Sequence, residues 1–198
     1  MTLDEIDYVV SLFIRAARVS IAAGFSGIQL HAAHGFLISQ FLSPHTNRRT
    51  DDYGGSPYKR MGLLRRLVTE LRAVCPPPLC LGVKLNSADY IAVGGLQQDE
   101  ALEQLRWLVE CGMVDFVDIS GGNAEAATDK LRSMLTCSTY CGTVKLHANS
   151  SHDRIIRCQV NGSCTKALQH AYPRGVFRRV CGKGAGSQVA HPYTAKWR

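Results

Sequence analysis

Apolar positions recur along the first two thirds of the chain with two alternating periods. Thr2 and Glu5 have the spacing of a capping box, and Ile6, Val9, Val10, Phe13, Ala16, Ala17 and Ala23 follow at helical intervals, with Gly24 as a stop. The short run 27–31 reads as a buried strand. A long polar stretch, 34–56, holds one apolar turn at 36–42 and a turn-rich Asp51-Asp52-Tyr53-Gly54-Gly55 segment. Ser56-Pro57 then starts a second helix, with Met61, Leu64, Leu67, Val68 and Leu71 as its stripe and three prolines, 76–78, as its end. Residues 79–85 predict a second strand. Asp99 opens a third helix carrying Leu102, Leu105, Leu108 and Val109, Gly112 stops it, and 114–119 predict a third strand. Helix and strand alternate at crossover lengths that predict a parallel sheet, covered on both faces or closed into a barrel.

In either arrangement sites form at the C-terminal strand ends. Here those ends are His31, Leu85-Asn86 and Ser120-Gly121-Gly122. His31 and His34 stand three residues apart and can aim two imidazoles into one place, where neutral N–H donors would polarise a carbonyl or nitro oxygen. The same pair also suits a structural or metal-binding role. Lys84 lies inside an apolar strand, which is costly unless its ammonium reaches solvent, an acidic partner or an anionic ligand.

Charge divides the chain. The whole of it has 198 residues and a net charge of +7. Residues 1–130 hold 12 Lys/Arg against 15 Asp/Glu, whereas 131–198 hold 11 against one, Asp153. Cys75, Cys80 and Cys111 precede the break, in contexts expected to bury their thiols, and five cysteines follow it. The tail 131–198 is a basic, Cys-rich segment with no recognisable domain, expected to be disordered apart from short strands at 144–146 and 154–160 and a short helix at 164–172. Three accounts of it stand side by side: an out-of-frame or intron-derived translation; a nucleic-acid or anionic-surface tail, against which no binding module is found; and a zinc site from Cys137, Cys141, His147 and His152, whose central gap is too short for the usual finger. Gly182-Lys183-Gly184-Ala185-Gly186-Ser187 lacks P-loop spacing. No apolar run reaches the ~18 residues of a membrane span. The acidic N-terminus is not a signal peptide, and an intracellular, cytoplasmic location is expected.

Several stretches together resemble a known family. They are Ala23-Gly24-Phe25, His31-Ala32-Ala33-His34-Gly35-Phe36-Leu37, Gln40-Phe41-Leu42-Ser43-Pro44, Asn47-Arg48-Arg49-Thr50-Asp51-Asp52-Tyr53-Gly54-Gly55-Ser56, Gly82-Val83-Lys84-Leu85-Asn86-Ser87-Ala88-Asp89 and Val114-Asp115-Phe116-Val117-Asp118-Ile119-Ser120-Gly121-Gly122. This long signature is similar to the old yellow enzyme family of NADH:flavin oxidoreductases, or ene-reductases, over roughly residues 3–130. The resemblance implies a (β/α)8 TIM barrel holding FMN at its C-terminal mouth. NADH or NADPH reduces the flavin, which passes hydride from N5 to the β-carbon of an activated alkene, an α,β-unsaturated carbonyl or nitro compound. His31 and His34 match the pair that binds the substrate's activating oxygen. Lys84 matches a cation, usually Arg, beside the flavin's N1 and C2 oxygen. Phe36 falls where many members have a Tyr that gives a proton to the α-carbon, and Phe has none to give.

A whole barrel takes roughly 250 residues. By resemblance this chain carries about three of the eight β/α units, without the late phosphate-binding loops. It is therefore read as a barrel fragment, 1–130, followed by the tail. Such a fragment would bind FMN weakly, would expose sheet edges that invite oligomerisation, and has a rival reading as a non-catalytic remnant.

Overall fold

Both halves of the N-terminal capping box form. In the computed structural model the Thr2 amide donates to Glu5 Oε2 at 2.7 Å and the Glu5 amide donates to Thr2 Oγ1 at 3.2 Å. Two otherwise orphaned amides are thereby satisfied at the start of α1 (Leu3–Ala22). Residues 1–91 and 93–123 are described, together with the backbone of two later strands. Gly24 sits at φ +81°, a left-handed conformation that only glycine adopts cheaply, and turns the chain into β1 (Gly27–Ala32).

The apolar turn expected at 36–42 is a short helix, α2 (Leu37–Leu42). Ser56 caps the next helix as the sequence predicts, its Oγ accepting the Lys59 amide at 3.2 Å. The single helix expected there is two: α3 (Pro57–Arg60) and α4 (Gly62–Val74), joined at Met61, whose ψ of −6° tightens the turn. The restart comes at a close approach. A Cβ at Gly62 would lie 3.1 Å from the Asp52 carbonyl and 3.2 Å from the Tyr53 ring. β2 (Cys80–Asn86), α5 (Gln98–Glu110) and β3 (Phe116–Ser120) complete the alternation. α5 is capped at Gln97 rather than opened by Asp99. Asp99 and Glu100 instead occupy its first turn, where carboxylates favour the helix dipole.

β1, β2 and β3 lie side by side and parallel, as the alternation predicts. β4 (Gly142–His147) pairs antiparallel with β3, and β5 (Ile155–Val160) pairs antiparallel with β4. These are the two short strands expected in the tail. The helix expected at 164–172 lies outside the described residues, as do Cys137, Cys141 and His152 of the zinc set.

Leu30, Ala32, Leu81, Val83, Leu85 and Val117 of the strands join Ile6, Val10, Leu64, Leu67, Leu71, Leu105 and Leu108 of the helices in one buried cluster. Burying a Leu or Val side chain stabilises by about 1.5–3 kcal/mol, so this face dominates the fold's stability. At the N-terminal strand ends Arg72 fastens the layers. It donates to the carbonyls of Met113, Cys75 and Leu79 and pairs with Asp115 at 2.6 Å. Of the three thiols expected to be buried, Cys75 is fully so, whereas Cys80 and Cys111 are half-buried.

Candidate active site

Side chains alternate along a strand, so the residues between the buried ones face the other side of the sheet. These are Gln29 and His31 on β1, Gly82 and Lys84 on β2, and Phe116 and Asp118 on β3. Parallel register aligns them: Lys84 is the partner of His31 on one side and of Asp118 on the other. His31, Lys84 and Asp118 thus form one row across the sheet. Lys84 Nζ meets Asp118 Oδ2 at 2.8 Å, and Gln29 Nε2 reaches the same oxygen at 3.4 Å. Of the destinations the sequence left open for Lys84, an acidic partner is the one seen. One step below, Phe116 lies over Gly82, where an added Cβ would come within 2.1 Å of its ring.

His31 and His34 come together as their spacing suggests, with ring centroids 5.3 Å apart and planes nearly perpendicular. The Ala33 amide donates to His31 Nδ1 at 3.3 Å. That nitrogen is therefore the acceptor, and the proton of a neutral ring sits on Nε2. His34 has φ +60°, unusual for a non-glycine residue. It is held there by its amide, which donates to Asn86 Oδ1 at 3.2 Å, and by a hydrogen bond between its Nε2 and Ser120 Oγ. Burial, and secondly the Lys84 ammonium, push both imidazoles below 6.5 while Asp118 opposes; at His34 the His31 ring adds to the lowering. Both rings are thus kept neutral at pH 7. The exposed Phe36 ring lies 4.6 Å from that of His31.

A buried polar cluster underlies this surface. The Asp89 carboxylate accepts from Ser43 Oγ, from the Leu96 amide at 2.9 Å and from Asn86 Nδ2 at 3.2 Å. Asn86 Nδ2 also donates to the Gly122 carbonyl at 2.9 Å. Asn86 therefore ties together the segments after β1, β2 and β3. Residue patterning placed Asn86 and Ser120 at strand ends where sites form but gave neither a specific role, and it gave none to Asp89, Ser43 or Asp118. The one available signal was polar residues clustered at strand ends, and their partners lie on other strands.

The residues present suit the pyrimidine edge of a flavin. A cation and an amide donor stand on the face opposite the buried cluster, beside two neutral imidazoles. Among the described residues no group of three or more His, Cys, Asp or Glu is placed to hold a metal.

The profile of the NADH:flavin oxidoreductase / NADH oxidase family matches residues 1–137. The chain belongs to that family. This is the old yellow enzyme family of the sequence resemblance. Curated members include the NADH-dependent flavin oxidoreductase iliE of Neonectria sp. (strain DH2), 44% identical over 128 residues, covering 65% of this chain and 16% of that protein. The NADPH dehydrogenase of Bacillus licheniformis is 40% identical over 122 residues, covering 62% and 35%. Among solved structures, a complex of 2-naphthoyl-CoA reductase with 2-naphthoyl-CoA superposes with a TM-score of 0.61 at 34% identity, over 63% of this chain and 19% of that one. Histamine dehydrogenase from Rhizobium sp. 4-9 gives 0.60 at 27% identity, over 70% and 18%. The chain thus spans between 16% and 35% of the length of these relatives. The solved relatives are TIM-barrel flavoenzymes, and the three parallel strands with their helices are the corresponding part of such a barrel.

Proposed function

We propose that this chain supplies the substrate-oxygen and flavin-edge contacts of an FMN-dependent NAD(P)H oxidoreductase of the old yellow enzyme type, acting on an α,β-unsaturated carbonyl or nitro compound. The observation that carries the reading is the row His31–Lys84–Asp118, with His34 beside it, on the face of the parallel sheet opposite the buried cluster. FMN, when bound, would supply the hydride chemistry that links NAD(P)H to the alkene's β-carbon. Lys84 would meet the N1 and C2-oxygen edge, where a fixed cation favours negative charge. The Nε2–H of His31 would donate to the activating oxygen, and His34 would join it by exchanging its bond to Ser120. Neutral rings suit this task because they donate without adding charge beside Lys84. Phe36 lies beside His31 and carries no proton to give, so another group or water would protonate the α-carbon.

The test is to purify the chain with excess FMN and record flavin absorbance and NAD(P)H oxidation with an enone acceptor. Perturbed flavin absorbance and acceptor-dependent oxidation are expected; no flavin retained at micromolar concentration would sink the reading. The rival, a non-catalytic remnant, is favoured by one observation: Asp118 already satisfies Lys84. Cooperative unfolding whose midpoint rises with FMN concentration would count against that rival. No helix among the described residues is long and apolar enough to cross a membrane.

A further inference from the structure

The Lys84 ammonium does not stand alone. Asp118 is its register partner on β3 and lies 2.8 Å away, with both side chains about four-fifths removed from solvent. Gln29, two residues before His31, donates to the same Asp118 oxygen from the far side of Lys84's strand. The carboxylate is thereby braced by groups from β1 and β2, and it fixes where a long, flexible lysine puts its charge. It also offsets that charge. A paired lysine projects a weaker positive field than a free one, and at such partial burial the field is only partly screened by water.

We infer that Asp118 is a positioning residue for the proposed flavin site, an inference that rests on the reading above: it holds Lys84 Nζ in place and sets how strongly the row stabilises negative charge. In the reaction, NAD(P)H gives up a hydride and leaves as NAD(P)+, and the reduced flavin gains one negative charge. Asp118 limits how far the charge of Lys84 favours the reduced form. Removing the carboxylate's charge makes the bound flavin easier to reduce and slower to hand its electrons on. The same change is felt at the imidazoles. Among the described residues, His31, His34, Lys84 and Asp118 are the ionisable groups of this row. Asp118 holds the two ring pKa values up against Lys84.

The experiment compares wild type with Asp118→Asn and Asp118→Glu, all with FMN bound. Asp118→Asn should raise the flavin midpoint potential and slow the acceptor half-reaction relative to flavin reduction, and Asp118→Glu should restore both. In the flavin-free proteins, imidazole NMR titration should show His31 and His34 titrating at lower pH in Asp118→Asn. A folded Asp118→Asn protein with unchanged potential and unchanged imidazole titrations overturns the inference. A wild-type chain that takes up no FMN counts against the functional reading alone, and the flavin-free titrations then decide Asp118 by themselves. A purely structural Asp118 would lower thermal stability without moving either readout.

Discussion

Along β1 and β2, Leu30, Val83 and Leu85 turn toward the helices and are at most 4% exposed, while Gln29, His31 and Lys84 turn the other way. The same backbone register serves both sets, yet what holds each set differs. On the helix side, side chains are interchangeable apolar bodies whose worth scales with the area they bury. On the other side, each has a specific partner: Asp118 for Lys84, Ser120 for His34, the Ala33 amide for His31. Stability is concentrated on one face and chemistry on the other, so a substitution should betray its face by which property it changes.

The largest effect is expected from Leu64→Ala, beneath the helix-side face and fully buried. Urea unfolding should show a loss of about 3 kcal/mol, the usual cost of a large-to-small change with its cavity. A loss under about 1 kcal/mol would mean the core is not packed as described. Gly82→Ala probes the other face by crowding. Its methyl would meet the Phe116 ring, and about 1–3 kcal/mol should be lost. Combining it with Phe116→Leu should recover part of that loss, and strict additivity of the two changes would contradict the contact. Lys84→Met should cost about 1 kcal/mol or less, as expected for a partly solvated pair, while weakening FMN binding at least about tenfold by fluorescence titration. Equal losses of stability and binding would erase the distinction between the faces.

The smallest effect is a pH dependence. Folding lowers the pKa of His31 and His34 from 6.5, so the unfolded chain binds more protons near that pH. Their contribution is neutral above 6.5 and becomes a loss of stability as pH falls through 6.5 toward the lowered folded values. Thermal midpoints measured across this window should decline less steeply in His34→Gln than in wild type. Parallel declines would show that His34 is not desolvated as its surroundings imply.

Much of the fold was legible because its signals are local. Thr2 with Glu5, and Ser56 with Pro57, announce helix starts through contacts within four residues, and the stripe from Met61 to Leu71 is entirely buried. The break at Met61 was not legible, and it lies where Gly62 packs against Asp52 and Tyr53, residues outside the helix's own pattern. In the site, His31, His34 and Lys84 stood out by residue type and by family pattern. The specific roles of Asp118 and Ser120 did not, because they depend on partners distant in sequence, 34 positions away for Asp118 and 86 for Ser120. The antiparallel attachment of β4 to β3 was equally hidden, although both tail strands were readable as strands.

Asn86 carries a consequence for anyone wishing to redesign this surface. One buried amide group reaches the backbone at His34 and Gly122 as well as the Asp89 carboxylate, which in turn holds Ser43 and Leu96. The connections after the three strands are therefore not exchangeable modules. A loop transplanted from a relative to change substrate preference must bring a matching set at positions 43, 86 and 89, or it will leave stranded polar groups in the interior and displace an imidazole it never touched.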